Sequence, residues 1–467
     1  MPSYDLLIAG GGAGAFAAAI RANELGARTA MINTGLPLGG TCVNVGCVPS
    51  KTLIHAASVV HQARHHGIPG IDLGITRFDF EQVAEHELDL VAKLRQEKYE
   101  SVLQSLEHVE FIEGRARFIA PHEVEVGGRQ LAAERFIVAT GSTAIIPSIS
   151  GIRETGYITH IEALRPRPLP KAMVVVGAGP VGLEFAQLFA RFGTQVTLLQ
   201  RGRSILPRAE EVLTTRLQEI FRSEGVTVHT DAAVLEARPS SGRKEVRFTV
   251  SGGEERAICD EILVATGKRP NTANLGLETI GVRLDDRGAV IVTQELQTSQ
   301  PHVFAVGDVT NLPQRLETTA GAEGSRAAQN ALTVSQEKID YRTVPYTVFT
   351  DPELASVGYT EEEQMRELGA SSCRTVSFND VPRARIIGRT EGLIKMAVHP
   401  DTRRIMGVHI LAPHAGEIIA EAMMLVRNRN TLDDVTNSLP MFPTLSEGIK
   451  LVATSFTKDI RKLSCCV

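Results

Sequence analysis

No uninterrupted apolar run in this chain is long enough to span a bilayer, which argues against a helical membrane protein. The nearest approach, residues 4–20, is broken by Gly10, Gly11, Gly12 and Gly14 and has no basic segment before it. That pattern does not fit a secretory signal; it suits a strand, a glycine turn and a helix. Cysteine is scarce as well, and six in 467 residues are too few for a disulfide framework. Without an export signal the expected setting is the cytoplasm, where cysteines tend to be catalytic or metal-binding. An excess of one charge is also missing. The net charge of −5 and pI near 6.3 give no support to nucleic acid or an anionic membrane as partner.

What is present is an ordinary soluble composition, 43% apolar and 22% charged. The length suits about two to four domains. Residues 5–9 read as a buried strand, followed by a glycine turn, an alanine-rich helix to Leu25 and a strand over 28–33. The same succession returns at 172–176, 181–192 and 195–200, so one chain carries two nucleotide-binding modules. Arg165-Pro166-Arg167-Pro168 punctuates the approach to the second. Hairpin-like stretches at 109–131 and 226–258 carry Gly127-Gly128 and Gly252-Gly253 as turn signals. Residues 80–106 read as one helix with a charged, solvated face. From about Tyr341 the pattern becomes α+β. The expected architecture is α/β, with two Rossmann-like dinucleotide-binding domains plus a C-terminal α+β interface domain. The first nucleotide domain would take residues 1–150 and 271–340, the second 151–270, and the interface domain 341–467.

Gly10-Gly11-Gly12-Ala13-Gly14-Ala15 fits GxGxxA between strand and helix. Gly10 permits the tight turn, Gly12 lets backbone approach a pyrophosphate, and Ala15 allows close helix–strand packing. The following helix N-terminus offers free N–H donors. Gly177, Gly179 and Gly182 repeat the device. The second module's ribose position reads Gln200-Arg201-Gly202-Arg203, with no acid to repel a 2′-phosphate. Arg201 and Arg203 therefore favour NADPH over NADH.

The most specific segment is Gly39-Gly40-Thr41-Cys42-Val43-Asn44-Val45-Gly46-Cys47-Val48-Pro49-Ser50-Lys51. Two sulfurs five positions apart can open and close a small ring without rebuilding a fold. A helix beginning beside them, with an electropositive neighbour, would populate a reactive thiolate. Together with both fingerprints, two Ala-Thr-Gly triplets, Gly307-Asp308 and Phe349-Thr350-Asp351-Pro352, this segment resembles the pyridine nucleotide–disulfide oxidoreductase family over nearly the whole chain. The resemblance implies FAD and NADPH as cofactors. It makes Cys42 the outer, exchanging thiol and Cys47 the thiolate against the flavin, with Lys51 paired to Glu184. It places Asp308 on the ribityl chain, and Ala15, Gly35, Thr41, Ala116 and Leu316 along the FAD. Cys259 and Cys373 lack such context and read as structural.

Disulfide reductases of this family protonate the leaving thiolate with a His held by a Glu near the C-terminus. Here the segment is Phe442-Pro443-Thr444-Leu445-Ser446-Glu447: the Glu is kept and Phe442 stands at the His position. A phenyl ring transfers no proton, and a missing general acid typically costs about 10²–10⁴-fold in rate. The chain instead ends Leu463-Ser464-Cys465-Cys466-Val467, a vicinal pair that resembles the mercury-reducing branch of the family. The resemblance implies Hg(II), brought as a thiol complex, captured by Cys465 and Cys466. The metal would pass to Cys42 and Cys47 of the partner subunit in a homodimer. Tyr99 matches one tyrosine of that branch's metal site, and the second falls at Phe442, where the hydroxyl is lost. The nucleotide module starts at Tyr4, so an amino-terminal metal-shuttling domain is not expected. The rival reading is an NADPH-dependent reductase of another small disulfide or a quinone, using a different proton donor.

Overall fold

The computed structural model describes residues 3–165 and 167–464. Strand β1 (Ser3–Ala9) buries both faces of Leu6-Leu7-Ile8-Ala9, as a central parallel strand must. The glycine turn leads into α1 (Ala13–Glu24) and back through β2 (Thr29–Asn33), parallel to β1. Two helices on the face of this module follow in quick succession, α2 (Gly40–Val45) and α3 (Cys47–His65), and then α4 (Phe80–Arg95). Strand β3 (Val109–Glu113) joins the outer edge of β2 in parallel. This corrects the hairpin expected over 109–131. His108 accepts a hydrogen bond from the Thr29 amide at 2.9 Å, which registers β3 on the main sheet. The hairpin proper is made by β4 (Arg117–Ala120), β5 (Glu123–Val126) and β6 (Arg129–Val138), with Gly127 and Gly128 at φ 57° and 82°. The far end of β6 pairs with the strand Val303–Ala305, which brings Gly307 and Asp308 to the mouth of the sheet.

The second module repeats the plan with a four-stranded parallel sheet. Its helix Pro180–Phe192 is buried on nearly every side, and Leu183, Phe185 and Phe189 share a core with Leu53, Ala57 and Val60 of α3. Each of the Leu, Val and Phe side chains contributes about 1.5–3 kcal/mol by leaving water. That packing fixes α3, and with it Cys47, against the second module. The turn expected at Gly252-Gly253 sits one residue earlier, at Ser251 and Gly252 with φ 52° and 80°, because Gly253 already opens the next strand. The chain enters and leaves this module along an antiparallel pair, Ser142–Ala144 with Lys268–Pro270.

The last third is a five-stranded antiparallel sheet covered by the helices Ala415–Arg427 and Glu447–Thr454. Asp351 ties it to the second module through Arg191 at 2.8 Å, and Arg389, from within the last third itself, holds the same carboxylate at 2.6 Å.

The single helix expected over 80–106 is interrupted. After α4 the chain makes one π-helical turn, Gln96–Glu100, before a short α-helical end, Ser101–Gln104. The extra residue in that turn lets Tyr99 pack edge-on against Phe16, 4.9 Å between ring centres and 88° between planes. Such bulges recur at functional sites.

Candidate active site

Cys42 lies on α2 and Cys47 is the first residue of α3, so the break between the two helices at Gly46 brings the thiols together. Cys42 is half-buried and Cys47 exposed. The Cys42 thiol donates to Cys47, and that hydrogen bond is the main reason the Cys47 pKa is lowered to about 7, with the Lys51 ammonium adding to it against burial. The same bond, together with burial, holds the Cys42 proton on. The arrangement therefore favours a thiolate at Cys47 and a thiol at Cys42, with Cys47 at a helix N-terminus where the backbone dipole also favours negative charge.

Lys51 is one helical turn from Cys47, and its Nζ donates to Glu184 Oε2 at 2.8 Å. Glu184, only 5% exposed, accepts a second hydrogen bond from the Phe349 amide at 2.9 Å. The Lys51 ammonium also lies 4.6 Å from the centre of the Phe349 ring. One ion pair thus joins the first module, the second module and the approach to the interface domain. Phe349 entered the sequence reading only as a marker of resemblance; no local pattern showed that it frames this lysine.

Tyr99 faces the same site. A Cβ on Gly39 would stand 2.9 Å from the Tyr99 ring, so the glycine makes room for the tyrosine. Burial, first, and then the neighbouring Cys42, Glu317 and Cys47 push the Tyr99 phenol up to about 12. It is a neutral hydroxyl beside a thiolate. Glu317, the first residue of the helix Glu317–Leu332, was missed by the sequence reading, because an acid at a helix start is ordinarily a capping feature.

A cleft of about 710 Å³ runs from the first fingerprint toward this dithiol. Gly10, Gly12, Gly35, Thr41 and Ala116 line it. At Gly10 the backbone has φ 141° and a Cβ would meet the Ala139 carbonyl at 2.2 Å, so no other residue fits. Gly12 and Gly40 approach so closely that a Cβ on Gly40 would stand 2.7 Å from the Gly12 Cα. Gly12 caps α1 without a side-chain partner, leaving the first amides of the helix to an anion. The cleft lies within the ~300–1,000 Å³ range of small-ligand sites, and its glycine cradle fits the FAD pyrophosphate. Ala15 does not line it: fully buried, it packs in the core behind α1. Asp308 stands one hydrogen bond back, accepting from Ser142 Oγ at 2.6 Å, and Ser142 is part of the lining. Leu316 caps the helix Glu317–Leu332.

The second fingerprint keeps the same logic. Gly177 has φ 106° with the Ala265 carbonyl 2.5 Å from its would-be Cβ, and a Cβ on Gly182 would strike the Gly177 carbonyl at 1.8 Å. A Cβ on Gly179 would meet nothing, so this residue faces open space at the start of the helix Pro180–Phe192. Gln200 is spent on the fold: its amide accepts from Ala178 N at 3.1 Å and donates to the Ser204 carbonyl at 3.2 Å. Arg201 and Arg203 are exposed beside it. Of the remaining cysteines, Cys259 is buried at a strand end and Cys373 is half-buried within a strand. Phe442 is 48% exposed in the segment leading to the helix Glu447–Thr454. Cys465 and Cys466 lie outside the described residues.

Two nucleotide-binding modules that converge on a thiol–thiolate pair define a dinucleotide-dependent dithiol oxidoreductase. The chain belongs to the pyridine nucleotide-disulphide oxidoreductase family, which matches residues 4–332, while the dimerisation domain of that family matches residues 344–453. Among curated proteins it is similar to the mercuric reductase of Staphylococcus aureus, 36% identical over 99% of this chain and 84% of that one. The mercuric reductase of Streptomyces lividans is 38% identical over 99% of this chain and 98% of that one. Among solved structures it resembles the HOCl-induced flavoprotein disulfide reductase RclA from Escherichia coli. That likeness has a TM-score of 0.86 and 28% identity, and covers 97% of this chain and 100% of the other.

Proposed function

We propose that this protein is a homodimeric, NADPH-dependent flavoenzyme that reduces Hg(II) to elemental mercury. One NADPH and one Hg(II) give NADP⁺, Hg(0) and a proton. The observation that carries the reading is the Cys47 thiolate, paired with the Cys42 thiol and set beside Lys51 between two nucleotide modules. Thiolates are the soft ligands that Hg(II) seeks. Similarity to mercuric reductases over 99% of the chain supports the same reaction.

The glycine cradle at Gly10 and Gly12, with Gly35, Thr41, Ala116, Asp308 and Leu316, holds FAD, and Gly177, Gly179, Gly182, Arg201 and Arg203 hold NADPH. Bound flavin supplies the two-electron relay between the nicotinamide and the dithiol. The protein's own groups do the rest. The Cys42 thiol, and after it Lys51 anchored by Glu184, hold the Cys47 pKa down and favour its thiolate. Cys42 gives up its proton when the metal displaces it, and the two sulfurs then hold Hg(II) as a dithiolate. Tyr99 offers a neutral hydroxyl at the edge of the pair. The C-terminal Cys465 and Cys466 receive Hg(II) from its thiol carrier and pass it inward to the partner subunit's dithiol. Phe442 removes the histidine that a disulfide substrate would require. No helix among the described residues is long and apolar enough to cross a membrane, and we assign the enzyme to the cytoplasm.

Purified enzyme should oxidise NADPH in a Hg(II)-dependent manner and release volatile mercury. Brisk turnover of oxidised glutathione, lipoamide or a quinone, with Hg(II) acting only as an inhibitor, overturns the assignment.

A further inference from the structure

Glu323 is the most deeply buried carboxyl near the first module's cleft, at 0% exposure, and the mechanism above gives it no task. It sits where the helix Glu317–Leu332 crosses α1 at closest range: a Cβ on the adjacent Gly324 would lie 2.0 Å from the Gly14 carbonyl. Its Oε2 accepts a hydrogen bond from the Gly307 amide at 2.6 Å. Its Oε1 accepts from the Tyr341 hydroxyl at 2.9 Å. Gly307 opens the turn that presents Asp308, and Asp308 in turn holds Ser142 Oγ at 2.6 Å on the wall of the cleft. Tyr341 opens the turn Tyr341–Thr343, which packs against the helix Ala415–Arg427 of the interface domain.

We propose that Glu323 is a positioning residue that couples the seating of the interface domain to the grip of the first module on its flavin. A continuous path runs from the interface helix through Tyr341, Glu323, the Gly307–Asp308 turn and Ser142 to the cleft. A turn whose amide is tied to a buried carboxyl keeps one conformation, so Asp308 meets the cofactor without reorganisation. When Tyr341 withdraws, Glu323 loses half of its hydrogen bonds inside a site that cannot hydrate it, and the turn it holds is freed. The groups acting on Glu323 are few. Burial and the charge of Asp308 raise its pKa to about 7, while the Gly307 amide and the Tyr341 hydroxyl oppose the rise. Arg326, on the same helix, acts on Tyr341. The inference rests on FAD lying at Asp308.

The test is the FAD dissociation constant, measured by flavin fluorescence on titrating apoprotein prepared from the full-length dimer. Tyr341→Phe touches no residue of the cleft, yet it should weaken FAD about fivefold, the size of one lost neutral hydrogen bond. Glu323→Ala should weaken it about 30-fold or more, and Glu323→Gln, which keeps an acceptor for Gly307, should recover most of that loss. The flavin absorption maximum and midpoint potential should move in Glu323→Ala and return in Glu323→Gln. Wild-type FAD affinity in both Glu323→Ala and Tyr341→Phe, whether or not the apoprotein melts lower, overturns the proposal. If instead Asp308→Ala binds FAD as the wild type does, the placement of the cofactor is wrong, and that outcome is separate from the first.

Discussion

At the scale of single residues, the site depends on which groups are charged. Cys47 is held ionised by a hydrogen bond from Cys42 and by Lys51. Lys51→Met removes the cation and leaves the hydrogen bond, so the Cys47 pKa should rise above about 7 toward the ordinary thiol range. The rate of iodoacetamide alkylation against pH reads this directly: the midpoint should shift upward, and an unmoved midpoint rules out Lys51 as a tuning group. A second buried group gives a contrasting case. Glu87, on α4, is fully buried, and both its carboxylate oxygens lack a hydrogen-bond partner among the described residues. Burial pushes its pKa up from 4.5 to about 7. Across that window the folded chain keeps a proton that the unfolded chain has released, so folding stability falls as pH rises through it. Glu87→Met should therefore raise the melting temperature more at about pH 8 than at about pH 5. Equal gains at both would show that the carboxyl is not the cause.

At the scale of elements, glycines set how closely the helices approach. The helix Glu317–Leu332 crosses α1 at Gly14 and Gly324, with no room for a methyl between them. Gly324→Ala should separate the two helices and destabilise the protein by about 1–3 kcal/mol, the usual cost of overpacking. A thermal melt checks it, and a loss well under 1 kcal/mol would mean the crossing is soft. The sequence announced the strand–turn–helix openings of both modules because each combines a buried run with a glycine signature at fixed spacing. Cys42, Cys47 and Lys51 were legible for the same reason, being one local segment. Glu323, Tyr341 and Phe349 were not, since their partners are far along the chain and nothing local marks them. The π-helical turn at Gln96–Glu100 was hidden too: its one-residue offset exists to dock Tyr99 on Phe16, a tertiary demand that the helical periodicity of 80–106 does not carry. The hairpin over 109–131 was misread at its start, because β3 has strand character whether it pairs with its neighbour in sequence or with β2.

At the scale of the whole molecule, the proposed chemistry needs two chains. Within the matched dimerisation domain, Leu439 is 95% exposed, Met441 76% and Phe442 48%, a concentration of bare apolar side chains that suits an obligate interface. Each subunit would carry an inner dithiol and lend Cys465 and Cys466 to its partner. Complementation decides whether the tail acts across the interface. One variant carries Cys42→Ser and Cys47→Ser with an intact tail. The other carries Cys465→Ser and Cys466→Ser with an intact inner pair. With Hg(II) supplied as a bulky dithiolate, each homodimer alone should be inactive, the first for lack of a reducing site and the second for lack of delivery. Dissociated together and reassociated at random, half the dimers would be mixed. In each of these, two-fold symmetry places one intact dithiol opposite one intact tail, so about a quarter of wild-type turnover should return. If the tail served its own subunit, every mixed dimer would have both halves of the pathway on different chains, and no activity would return. NADPH-dependent flavin reduction should persist in the tail variant throughout, which separates failed delivery from failed electron transfer.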